Sequence, residues 1–124
     1  MTSKRRIAAL LLMVGLTACT PEEMIRKAFE MRGATKEQQD NAVAIGTCES
    51  GLRPDARNGS NRGLMQINVG STAQGPRVAR LGLGHDDMYN PWWNAVVAAD
   101  LWSDLGRFGS TVGWGNCARV NGIY

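Results

Sequence analysis

Apolar side chains recur at helical spacing in three stretches of this chain, and each stretch carries its own start signal. In the first, Thr20 stands as N-cap, Pro21 takes the first helical position and Glu23 closes a capping box. Met24, Ile25, Ala28 and Phe29 then share one face until Gly33 stops the helix. The device starts again at Thr35, where Gln38 completes a second capping box and Ala42, Val43, Ile45 and Cys48 make the stripe that leads to Glu49. The last stretch is the clearest. Asn90 caps it, Pro91 opens it, and Trp92, Ala95, Val96, Ala99, Trp102 and Leu105 recur until Gly106. Trp93, Val97 and Leu101 widen that stripe, which predicts a helix at the buried centre of the domain.

Polar and turn-forming residues separate these stretches. Pro54 and the run Asn58-Gly59-Ser60-Asn61 predict a loop, and Gly63 to Asn68 is short enough to be a bent strand or a single turn. A further helix is expected from about Ser71 to Leu81, interrupted by Gly75-Pro76. After Gly109 the pattern is loop-like, with Trp114 and Cys117 as anchors. A chain of 124 residues holds one core of this kind, with no internal repeat and no second domain. The fold class expected is all-α, with at most a minimal β-turn or hairpin near Gly63–Asn68.

Charge changes the picture only at the N-terminus. The formal net charge is +3, but Lys4, Arg5 and Arg6 account for it, leaving 11 basic residues against 11 acidic ones beyond Pro21. The near-neutral remainder removes the main support for a nucleic-acid partner. Behind the three cations, the apolar run from Ile7 to Ala18 would cover roughly 18 Å as a helix, well short of a ~30 Å hydrocarbon core. It reads as a signal segment spanning residues 1–18. Its end, Leu16-Thr17-Ala18-Cys19, resembles the lipobox of bacterial lipoproteins. That resemblance implies lipidation of Cys19, a membrane anchor and an extracytoplasmic location in the cell envelope, with residues 19–34 as lipidated cysteine plus N-terminal helix and 35–124 as the main folded domain.

With Cys19 assigned to lipid, Cys48 and Cys117 remain, either as a disulfide in an oxidising compartment or as two buried thiols. No metal site is expected, because His85 is the lone histidine and there is no CxxC. His85 itself reads as a turn or cap residue. Nothing calls for a cofactor.

Three motifs in register carry the functional reading: Glu49-Ser50-Gly51-Leu52-Arg53-Pro54, then Gly63-Leu64-Met65-Gln66-Ile67, then Asp87-Met88-Tyr89-Asn90-Pro91 followed by Asn94. Together, from about Gln39 to Leu105, they resemble the soluble lytic transglycosylase domain of the lysozyme-like superfamily. The resemblance implies a lysozyme-like fold and peptidoglycan glycan strands as partner. It also implies cleavage of the β-1,4 bond from N-acetylmuramic acid to N-acetylglucosamine by one glutamate, Glu49, acting as acid and then base. By that resemblance Gly63 would let the backbone approach the cleft, Met65 and Gln66 would line the sugar site, and either Asn58 or Ser60 would touch substrate. Tyr89 and Asn94 match a motif that mostly builds structure, Tyr89 being kept among the substrate-binding candidates, and Ser50 is either a support for the helix end or a contact.

The chemistry asks for an acid still protonated near neutral pH, and a glutamate near the last turn of a helix, partly desolvated, has its pKa moved upward. Ordinary glycosidases add a second carboxylate. Animal-type lysozymes resemble this chain at the second motif but carry an aspartate two positions before its glycine; here that position is Asn61, and Asp55 lies in a turn. The pattern favours ring closure by the substrate's own C6 hydroxyl, giving 1,6-anhydro ends, over hydrolysis. Two departures from the family stand out: Trp114-Gly115-Asn116-Cys117 stands roughly in the place of a Tyr-Asn-Ala-Gly stretch, so that either Trp114 and Asn116 substitute, with Asn116 a candidate contact, or that wall is missing; and Asn68 replaces a residue that is often proline. The compact form is similar to a variant of actinobacteria and their phages. A muramidase of the same fold and a non-catalytic glycan-binding lipoprotein are the other two readings, and a monomer is expected. The tryptophans read as core rather than as sugar platforms.

Overall fold

Side-chain caps set the first two helices of the computed structural model, which describes residues 19–124. The signal segment assigned to residues 1–18 lies outside them. The Glu23 amide donates to the Thr20 hydroxyl at 3.2 Å while the Glu23 carboxylate accepts from the Thr20 amide at 3.1 Å, and α1 runs Pro21–Glu30. Thr35 and Gln38 repeat the arrangement at 3.2 and 2.8 Å, and α2 runs Lys36–Ser50. Each box satisfies two amides that would otherwise lack partners.

A three-stranded antiparallel sheet follows: β1 Arg57–Asn58, β2 Asn61–Arg62 and β3 Ile67–Asn68, in the order β1-β2-β3. Asn58 pairs with Asn61 and Asn61 with Asn68, so the sheet begins in the stretch expected to be loop. The helix expected over Ser71–Leu81 is shorter. As α3 it runs Gly75–Arg80 with Pro76 in its first turn, because the preceding residues are held in a turn in which the Gln74 side chain bonds outward instead of continuing a helix. His85–Tyr89 forms a 3-10 helix whose start is fixed by the Asp87 carboxylate accepting from the Gly84 amide at 2.7 Å. Asn90 then accepts from the amides of Trp92 and Trp93 and caps α4, Pro91–Leu105. The segment read as loop after Gly109 contains a further helix, α5, Gly115–Val120, six residues whose apolar positions are too few to show a period.

Helix α4 is the centre. It buries Ala98 and Asp100 as well as most of the expected stripe, while Val96 and Leu105 are only partly covered. Helix α1 packs against α4 and α2, and Ile25, Phe29, Ile45, Leu64, Ile67 and Val97 are wholly buried. Each such side chain contributes about 1.5–3 kcal/mol relative to exposure. The first helix therefore shares one core with the helices that follow it. Phe29, Trp102 and Phe108 pack with ring centroids 5.5–5.9 Å apart, and Trp114 joins through Phe108 at 5.9 Å. Asp100 of α4 pairs with the buried Arg77 of α3 and with the more exposed Arg32 in the turn after α1, an ionic joint that helical periodicity alone does not reveal.

Cys48 and Cys117 form a disulfide with Cα atoms 5.8 Å apart, closing a span of 69 residues between α2 and α5.

Candidate active site

Helix α2 is stopped one residue after Glu49 by a reversal of hand. Gly51 and Leu52 both take left-handed backbone, with φ of 64° and 59°. The Gly51 amide donates to the Thr47 carbonyl and the Leu52 amide to that of Gly46. Leu52 holds a conformation unusual for a branched side chain because that side chain packs against Gly46, where any Cβ would lie 3.3 Å from it and 2.9 Å from Ile25. Ser50 locks the junction from inside. Its buried hydroxyl lies 2.6 Å from the Leu64 carbonyl, to which it donates, and it accepts from the Arg53 amide at 3.2 Å. Ser50 is thus the support of the helix end, and Glu49 beside it is left facing the cleft.

The second motif is built around Asn94 of α4. Its amide oxygen accepts from the Met65 amide at 2.8 Å, and its amide nitrogen donates to the carbonyls of Arg62 and Met88 at 2.8 and 2.9 Å. Gly63 fits beneath this joint with φ of 76°, and a methyl in place of its hydrogen would lie 1.9 Å from the Met88 carbonyl oxygen. The glycine is needed for packing against the 3-10 helix. Gln66, also left-handed at φ 53°, donates both its amide hydrogens inward, to the carbonyls of Gly63 and Ala56.

Glu49, Asn61, Gln66, Asn68, Gln74, Trp114, Asn116 and Arg119 line a cavity of about 760 Å³, closed on one side by Gly109, Thr111, Gly113 and Gly115. Burial pushes the Glu49 carboxyl above its ordinary pKa, the direction expected for a group losing water without gaining a charged partner. Of the residues singled out from the sequence, the cavity brings together Glu49, Gln66 and Asn116. Met65 is completely buried and turns its side chain into the core, while its carbonyl accepts from the Trp114 indole at 2.8 Å. Tyr89 lies outside the cavity, beneath the Arg62 guanidinium at 5.5 Å. Asn58 belongs to a row of asparagines across the sheet, but it occupies the outermost strand, so Asn61 and Asn68 reach the cavity and it does not. Ser60 stands in the hairpin turn, its carbonyl accepting from the Val69 amide.

Sequence reasoning missed Gln74 and Arg119. Gln74 is a clasp: its side chain accepts from the Asn68 amide at 2.6 Å and donates to the Val112 carbonyl at 2.7 Å, tying the sheet to the far wall. Neither residue lies in a motif, and only the chain's return through 109–119 shows that they share a cleft with Glu49. That return is held in place by the disulfide, the Trp114 indole and the Gln74 clasp. Among the described residues no group of three or more His, Cys, Asp or Glu side chains is placed to hold a metal.

A family model described as Transglycosylase SLT domain matches residues 23–114. No curated protein and no solved structure was found to match the chain.

Proposed function

We propose, from the premise that this chain belongs to the SLT transglycosylase family, that Glu49 is its catalytic acid and then base. Members of the family are lytic transglycosylases, lyases acting on peptidoglycan, so the activity is extracytoplasmic. The observation that carries the assignment is a cavity with Glu49 as its one lining carboxylate, its pKa raised by burial.

The protonated Glu49 donates to the glycosidic oxygen between N-acetylmuramic acid and N-acetylglucosamine, and that C1–O bond breaks. The substrate's N-acetyl oxygen stabilises C1. Glu49, now a carboxylate, takes the proton of the C6 hydroxyl as that oxygen bonds to C1. A 1,6-anhydro end forms, the acid is regenerated and no water is consumed. The absence of a second carboxylate from the cavity lining supports this course over hydrolysis, since Asp55 is exposed elsewhere and Asn61 stands where animal-type lysozymes carry an acid. Gln66 and Asn116 contribute polar contacts to the sugars.

Peptidoglycan digested with residues 19–124 and with Glu49→Gln, followed by mass spectrometry of the muropeptides, tests the reading. Anhydro ends from the wild type and none from the variant are expected; reducing ends would make the protein a muramidase, and pelleting with the wall without release would make it a binder.

Lipidation of Cys19 belongs to the same proposal. Cys19 directly precedes the α1 cap, so a lipid there would hold the cleft close to the bilayer with no linker between. No helix among the described residues is long and apolar enough to cross a membrane. Two acyl chains on one cysteine suffice for stable anchoring, and loss of membrane fractionation on Cys19→Ala is the expected result.

A further inference from the structure

Glu49 has one charged companion in the cavity. Arg119, on α5, is the sole cation among the described residues that line it. Its guanidinium takes part in none of the ion pairs among the described residues, whereas Arg26, Arg32, Arg62, Arg77 and Arg80 each meet a carboxylate. One of its terminal nitrogens donates to the Asn116 side-chain oxygen at 2.8 Å, which orients the planar head without neutralising it. Nor does Arg119 hold Glu49 ionised, because burial accounts for the upward displacement of that carboxyl with no opposing cation.

The two groups are nonetheless held in register. Cys48 immediately precedes Glu49, and Cys117 is two residues before Arg119, so the disulfide fastens the wall that carries the acid to the wall that carries the cation. A cation placed in this way, with most of its five N–H donors still open, fits a carboxylate on whatever strand occupies the cleft. Peptidoglycan bears such groups at short intervals, and a neutral glycan of the same backbone bears none.

We propose that Arg119 is a specificity-determining residue that binds a carboxylate of the glycan strand, so that the enzyme prefers acid-bearing strands to neutral ones. The proposal rests on the transglycosylase reading above and deepens it. The carboxylate has two sources. In a strand stripped of peptides it is the free lactyl acid of the muramic residue, and in an intact strand that acid is an amide and the stem peptide supplies the charge instead.

Four substrates separate these cases: intact strands, peptide-free strands, and each of the two after its carboxyl groups have been converted to amides. The wild type, Arg119→Gln and Arg119→Lys are compared by KM and kcat on all four, with circular dichroism as the check that each is folded. An exposed charge-assisted contact predicts a KM raised about fivefold by Arg119→Gln on the carboxylate-bearing strands. No change is expected on their amidated counterparts, with partial rescue by Arg119→Lys. The effect confined to intact strands assigns the stem peptide, confined to peptide-free strands it assigns the lactyl acid, and present on both it assigns the shared carboxylate; all three support the proposal. An equal loss on amidated and untreated strands, or no loss on any, overturns it.

The same four substrates are also bound by the Glu49→Gln protein with and without Arg119→Gln, measured by calorimetry on soluble strands. This arm needs no turnover. A wild type that cleaves nothing would remove the transglycosylase reading, while the dependence of binding on Arg119 and substrate charge would still decide the present one.

Discussion

At the scale of a single residue, the proton on Glu49 is the quantity to follow. Its folded pKa is raised by burial, so the native state holds that proton more tightly than the unfolded chain does. Stability is therefore lost as pH rises from the ordinary glutamate value of about 4.3 through the folded value, and remains lost above it. Glu49→Gln removes this cost. The variant is expected to melt at higher temperature than the wild type at neutral pH, with the difference closing in acid, while turnover falls by at least about 100-fold. For the wild type, kcat/KM should be level in acid and fall as pH passes upward through the raised pKa, since the free enzyme must enter protonated. Thermal unfolding and initial rates across pH measure both. A variant no more stable than wild type at neutral pH, or a rate that climbs with pH, would sink the assignment.

At the scale of the elements, the joint between α4, the sheet and the 3-10 helix carries the most weight per atom. Asn94 alone satisfies one amide and two carbonyls in the interior. Leaving buried polar groups unpaired costs about 1–3 kcal/mol each, so Asn94→Ala should lose more than about 3 kcal/mol in denaturant unfolding. Gly63→Ala attacks the same joint from below, since the added methyl would meet the Met88 oxygen and the Asn94 amide nitrogen at 1.9 and 2.5 Å. Because both changes break one arrangement, the double variant should cost clearly less than the sum of the single ones. Strict additivity would show that the two residues act separately.

At the scale of the whole molecule, the cleft has two walls that meet only late in the chain. Residues 49–74 make one and 109–119 the other, and the disulfide spans 69 residues to join them. Replacing both cysteines with serine is expected to cost about 2–4 kcal/mol. Activity should fall more steeply than stability, because most of the core lies between α1, α2 and α4, with α5 adding only Cys117 and Ala118, while the spacing of Glu49 and Arg119 depends on where α5 sits. Rates measured well below the melting temperature of the Cys48→Ser, Cys117→Ser protein test this. Full activity in that folded protein would show that the Trp114 and Gln74 contacts hold the far wall unaided.

What the sequence determined by itself is what neighbours along the chain decide. The capping boxes at Thr20 and Thr35 and the Asn90 cap are local chemistry, satisfied within one helical turn; α1, α2 and α4 begin where those residues say and α4 ends at Gly106, while α1 ends at Glu30, three residues before Gly33. The family motif around Glu49 was legible for the same reason, as a helix end followed by a turn. Tertiary structure decided everything that depends on distance through space. Met65 and Gly63 sit inside a motif associated with substrate, yet Asn94 and Met88, some 25 to 30 residues away along the chain, turn them into packing. Gln74 and Arg119 belong to no motif and reach the cavity only because the segment after Gly109 folds back across Glu49. A periodic pattern records which face of an element is apolar; it carries no record of which other element will cover that face, and the far wall of this cleft is made of such encounters.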